Sequence, residues 1–210
     1  MRKLSPNRCA RRSGIGSRGF TLTEIAIVLG VVGIVLGGIW AAAALVSQND
    51  KTQEASQDIA LIVANYRSLF STRGIDYNNG YWTDFTCFGI QNNAFPSSMI
   101  VPGTSCAGPT ATPSTYPQMP WGGGSIIKVY TQENNQTIQL SIEGLTSTAC
   151  NQIADQLFAQ SGITYEEIYN GSWNGGWMPP YGNNTPWTVT QVAGLCTGGW
   201  TIVQVGYSAR

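Results

Sequence analysis

From Ile25 to Val46 the chain runs 22 residues without a charge, and no other feature constrains the fold as strongly. At ~1.5 Å per residue, a helix of this length reaches about 33 Å, enough to cross the hydrocarbon core of a bilayer. The charges around it are lopsided. Of the 11 Lys and Arg, six precede Gly19: Arg2, Lys3, Arg8, Arg11, Arg12 and Arg18. All 11 Asp and Glu follow it. Basic residues ahead of a membrane segment stay on the cytoplasmic side, so the polar body is expected to face outward.

Residues 1–19 are basic and carry no apolar core of their own, unlike an ordinary secretory signal. Two patterns in this stretch are weak. Gly14-Ile15-Gly16-Ser17-Arg18-Gly19 fits GxGxxG, but a dinucleotide fingerprint must follow a strand and open a βαβ unit. Arg11-Arg12 is a twin arginine without the apolar stretch and small-residue cleavage site that export would need next. Glu24 is more informative, as the single carboxylate at the head of the apolar run. If the chain is cut after Gly19, Glu24 lies ~6 Å from the new terminus, in the first helical turn, where the helix dipole favours a negative charge. Within the run, Gly33, Gly37 and Ala41 recur every four residues, a spacing that lets helices approach closely.

Without residues 1–19 the chain keeps five basic and 11 acidic side chains. This acidic body lacks the basic patch of a nucleic-acid binder. The chain has no His, which excludes Ser-His-Asp and Cys-His catalysis and any His-based metal site. No phosphate loop and no paired-carboxylate motif is present, so an enzyme is not expected. No cofactor or metal is expected either, since the acids are too scattered to suggest a calcium cluster. Besides Cys9 there are four Cys in the polar body: Cys87, Cys106, Cys150 and Cys196. No CxxC pair occurs, and an even count in an exported domain reads as two disulfides. Three pairings are possible. We expect the sequential one, Cys87–Cys106 and Cys150–Cys196, each contributing roughly 3–4 kcal/mol by loop-closure entropy.

Beyond Val46 the 3–4 spacing continues on a new face through Ile59, Ile62, Val63, Tyr66, Leu69 and Phe70. One helix over about 20–73 is predicted, half apolar and half amphipathic, with Gly74 as its stop. Residues 74–125 read as poor in helix. Ser125–Thr131 and Gln136–Ile142 read as a hairpin around Gln132–Asn135. Thr146–Gln160 reads as a short helix capped by Thr146 or Ser147. A Gly- and aromatic-rich loop is expected next, with Trp173, Trp177, Tyr181 and Trp187, and then a last strand over Trp200–Tyr207.

Gly19-Phe20-Thr21-Leu22-Thr23-Glu24, between its basic leader and the apolar run, closely resembles the class III signal of type IV pilins. The resemblance implies cleavage by prepilin peptidase between Gly19 and Phe20, and N-methylation of Phe20. It also implies a role in assembly for Glu24, whose carboxylate would neutralise the terminal amine of a neighbouring subunit. An amine and a carboxylate that must both enter an apolar core are better buried together than alone. The long leader, the Pro120-Trp121-Gly122-Gly123 run before the hairpin, and Cys150 at the opening of a short helix are similar to the plasmid- and enteric-type IVb pilins. In that group a late Cys pair, here Cys150 and Cys196, staples the C-terminal region to the core.

The implied fold is α+β: a long N-terminal helix, transmembrane in its apolar half, packed through its amphipathic half on a small antiparallel sheet. The implied domains are a leader over 1–19, a transmembrane and assembly segment over 20–46, and a periplasmic or extracellular pilin domain over 47–210. The implied function is a structural pilus subunit, held in the inner membrane as a prepilin and then assembled into an extracellular filament. Its partners would be prepilin peptidase, the pilus assembly machinery and further copies of itself. A minor pilin, a type II secretion pseudopilin and an adhesive tip subunit are the alternatives, the last because Trp173–Trp200 could bind a glycan or a surface receptor.

Overall fold

The computed structural model describes residues 21–73, 83–122, 124–132, 137–177, 187–197 and 201–208. The expected leader over 1–19, and Phe20 after it, lie outside them. The chain divides into two compact units, residues 1–44 and 45–210.

Helix α1 runs Leu22–Arg73 without interruption. No Pro falls inside it, and Thr21 starts it by accepting the Glu24 amide on both its carbonyl and its hydroxyl, at 3.0 and 3.3 Å. Every residue from Thr21 to Asp50 is exposed. Within the second unit the helix acquires a buried stripe of Ala55, Ile59, Ile62, Val63 and Tyr66, with Leu69 and Phe70 half-buried against the same core. The predicted amphipathic face is therefore the packed one.

That stripe is covered by a six-stranded antiparallel sheet. Its strands are β1 (Thr83–Asp84), β2 (Ile126–Gln132), β3 (Thr137–Leu145), β4 (Ile163–Tyr169), β5 (Trp173–Trp177) and β6 (Thr201–Ser208), in the order β1-β2-β3-β6-β4-β5. The last strand is thus inserted between β3 and β4. Register puts Leu140 opposite Val205 and Ile142 opposite Val203, while Ile127 and Val129 of β2 face Ile142 and Leu140. Opposed residues share a face, so these side chains form one apolar face of the sheet. The other face is polar. Gln139 donates to Gln204 at 2.6 Å, Gln204 donates to Ser141 at 3.2 Å, and the Tyr165 hydroxyl donates to Glu167. Lys128 pairs with Glu143 at 2.9 Å and lies over the Tyr116 ring, whose hydroxyl donates to Asp84.

Among the described residues the second unit also has three α-helices, α2 (Thr86–Gln91), α3 (Ser147–Phe158) and α4 (Val189–Leu195), and a short 3-10 turn at Ser97–Met99. Thr146 caps α3, its hydroxyl accepting the Ala149 amide. Helix α2 breaks the expected helix-poor stretch. It is six residues long and contains Gly89, and a Cβ there would fall 2.0 Å from the Tyr66 hydroxyl. That hydroxyl donates to the Phe85 carbonyl at 2.8 Å from a fully buried ring, so Gly89 lets α2 close onto α1. The larger departure lies after α3. The expected aromatic loop contains β4, β5 and α4, and Thr164, Tyr165, Glu166 and Ile168 of β4 are buried. Trp173 and Trp177 end β5, Trp187 precedes α4, and Tyr181 lies outside the described residues.

Candidate assembly surface

Among the described residues of the first unit, 21–44, the exposed side chains are mainly apolar. Leu22 is 86% exposed and Trp40 77%, and Ile34 is similarly open. Exposed apolar surface of this extent marks a membrane or a protein partner. The helix qualifies by length and composition as a membrane span. Gly30, Gly33, Gly37 and Gly38 have open space where a side chain would stand, so no contact among the described residues requires glycine there. Glu24 is exposed in the first turn of this helix.

The second unit is closed by two disulfides. Cys87–Cys106 ties α2 to the loop that follows it, and Cys150–Cys196 ties α3 to the residue after α4, with Cα separations of 5.5 and 5.6 Å. Between these helices Phe158 and Trp187 pack edge to face at 5.6 Å. The backbone N–H of Trp187 donates to Glu166 at 3.2 Å. Glu166 is 1% exposed, and burial pushes its carboxyl up to about 7. On α3, Asp155 is also raised, by burial alone. On α1, Asp58 is raised by burial and then by its neighbour Glu54.

No group of His, Cys, Asp and Glu among the described residues is arranged to hold a metal ion. Of the residues singled out in the sequence, Glu24 lies on the first unit with Gly33, Gly37 and Ala41, and the four body Cys are brought together as two bonds in the second. Asp155 and Glu166 were not anticipated. Neither has a sequence motif, because what distinguishes them is burial.

No family model and no curated protein matches the chain in sequence. Solved structures do match. The chain is similar to a type IVb pilin from Salmonella typhi, with a TM-score of 0.50 at 15% identity over 74% of this chain and 99% of that one. It is also similar to TcpA, a type IV pilin from Vibrio cholerae El Tor, with a TM-score of 0.44 at 12% identity over 76% of this chain and 99% of that one. At this identity the likeness to the Salmonella protein is one of fold: the chain has the fold of a type IV pilin.

Proposed function

We propose that this chain is the structural subunit of a type IVb-like pilus. Prepilin peptidase would cut it between Gly19 and Phe20, the new amine of Phe20 would be methylated, and the product would wait in the inner membrane. The assembly machinery would then polymerise it through the apolar half of α1 into an extracellular filament. The observation that carries this reading is the exposed apolar half of α1, with Glu24 at its head, on a chain of pilin fold. Lipid covers that surface before assembly, and the same segment of other copies covers it afterwards.

Glu24 has a specific task in this scheme. In a filament core its carboxylate has no water, so it needs a cation, and the amine of Phe20 on the next copy supplies one. A paired burial is tolerable where a lone charge is not. The Glu24→Val chain should therefore be cut normally but yield at least about a hundredfold less filament in sheared fractions, since removing one partner of a buried pair costs about 3–5 kcal/mol and each ~1.4 kcal/mol is a factor of ten. Filament yield equal to that of the unaltered chain would remove the pairing.

A further inference from the structure

Residues 187–196, which carry α4, are attached to the rest of the second unit at few points. Of α4 only Val192 is buried, and Val189 is 66% exposed. The C-terminal end is fixed twice. The Asn170 amide donates to the Leu195 carbonyl at 2.8 Å, and Cys196 is bonded to Cys150. The N-terminal end is held more lightly. Trp187 packs edge to face with Phe158, and its backbone N–H reaches the Glu166 carboxyl on β4. A cleft of about 440 Å³ is bordered there by Phe158 and Asp155 of α3 and by Trp187, Val189 and Val192.

The Glu166 attachment depends on charge. This carboxyl lies on the apolar face, opposite Val205 of β6 and Gly176 of β5. A carboxylate sealed in such a place needs two or three N–H donors to stay ionised. Among the described residues Trp187 is the one donor it has, and Glu166 makes no ion pair. The titratable groups on the packed elements do not offset its charge. Helix α3 brings Asp155, at the border of the same cleft, and β6 brings Tyr207, over whose ring α1 places Arg67. Lys51 of α1 is next to Thr52, which meets α3 at Gln152. Tyr165 and Glu167 lie on the opposite face of the sheet, and β5 and α4 contain no titratable residue. Burial raises the Glu166 carboxyl, the Trp187 N–H lowers it, and no neighbouring charge contributes.

We propose that Glu166 is a pH-sensitive latch on residues 187–195: as a neutral acid it holds them closed, and on ionising it lets their N-terminal end lift while the Cys150–Cys196 bond keeps the other end tied. Once that end lifts, water reaches the carboxyl, which then ionises as an ordinary one does. Opening therefore releases a proton, and rising pH favours it. Helix α4 can move as a unit, because the capping box of Thr188 and Gln191 lies within it and its entry. Lifting parts Trp187 from Phe158 and widens the cleft between them. In the filament reading this body faces the outside of the cell, where pH follows the surroundings, but the latch does not depend on that reading.

Hydrogen exchange of the full chain in detergent tests the latch, read on peptides within 187–196 and corrected for the intrinsic pH dependence of exchange. Protection there should fall about tenfold between pH 5.5 and 7.5 and level off above about pH 8, with β2 and β3 better protected throughout. Glu166→Gln keeps an acceptor for the Trp187 N–H and removes the titration, so its protection should stay within about twofold over the same range. Asp155→Asn should leave the tenfold fall in place. The latch is overturned if protection in the unaltered chain does not change with pH, if Glu166→Gln shows the same fall, or if Asp155→Asn abolishes it. Where Glu166→Gln does not accumulate, the levelling decides, since protection that keeps falling beyond pH 8 contradicts a carboxyl as its source. Equal protection of residues 187–196 and of β2 and β3 at every pH would mean that the unit opens only as a whole, and would also overturn it.

Discussion

Glu166 illustrates how far one residue can mislead a reading by pattern. It sits beside Glu167 in the middle of β4, and two adjacent carboxylates argue against a buried strand. The strand alternates all the same. Glu166 lies opposite Val205 on the apolar face, and Glu167 opposite Gln204 on the polar one, where it accepts the Tyr165 hydroxyl. Burial holds the Glu166 carboxyl near 7, well above the ordinary 4.5. The folded state therefore holds this proton more tightly than the unfolded state does. Its contribution to stability is fully present below about pH 4.5 and is lost as pH rises through about 7. The melting temperature of the chain in detergent should fall between pH 5 and 8, by an amount corresponding to roughly 1–2 kcal/mol. Glu166→Gln should flatten that slope, and a slope unchanged by the substitution would rule Glu166 out as its source. Glu24 was visible in the sequence because it breaks an apolar run. Asp155 was not, because nothing along the chain reports that one of its oxygens is buried.

Among the elements, the legible ones carry a strong period or a clean boundary. Helix α1 announced itself through two successive apolar patterns, the β2–β3 hairpin through alternation, and α3 through Thr146. Helices α2 and α4 are six and seven residues long, too short for a 3.6-residue period to show. Strand β5, Trp-Asn-Gly-Gly-Trp, has little strand propensity of its own. It exists because β4 offers an edge, and Gly175 lets it pass close to the Glu166 carbonyl. Helix α4 did carry a signal: Thr188 and Gln191 form a capping box. The topology was hidden for a different reason. Strand β6 enters between β3 and β4 only after the whole segment from α3 to α4 has been laid down, and no local pattern encodes that order. The Cys150–Cys196 bond brackets this inserted segment across a separation of 46 residues. Replacing both Cys with Ser should cost about 2–4 kcal/mol and expose the region beyond α3 to limited proteolysis sooner than the sheet strands β2 and β3. Equal protease resistance with and without the bond would mean that packing alone holds the segment.

For the whole molecule, the two units have opposite requirements. Residues 21–44 present apolar surface that needs a cover, whereas the second unit has an apolar core and two disulfides. Such a surface is incomplete in water, and under the proposed function polymerisation through the first unit would complete it. In that proposal the junction at Gly19-Phe20 would decide whether this can happen, because pairing with Glu24 would need a free amine on Phe20, which the uncut chain lacks. Mass spectrometry of subunits from sheared cell-surface filaments tests this most directly. The expected mass is that of residues 20–210 with one added methyl, located on Phe20 by fragmentation, and two hydrogens missing for each of the two disulfides. Filaments whose subunits retain residues 1–19, or begin elsewhere than Phe20, would contradict it.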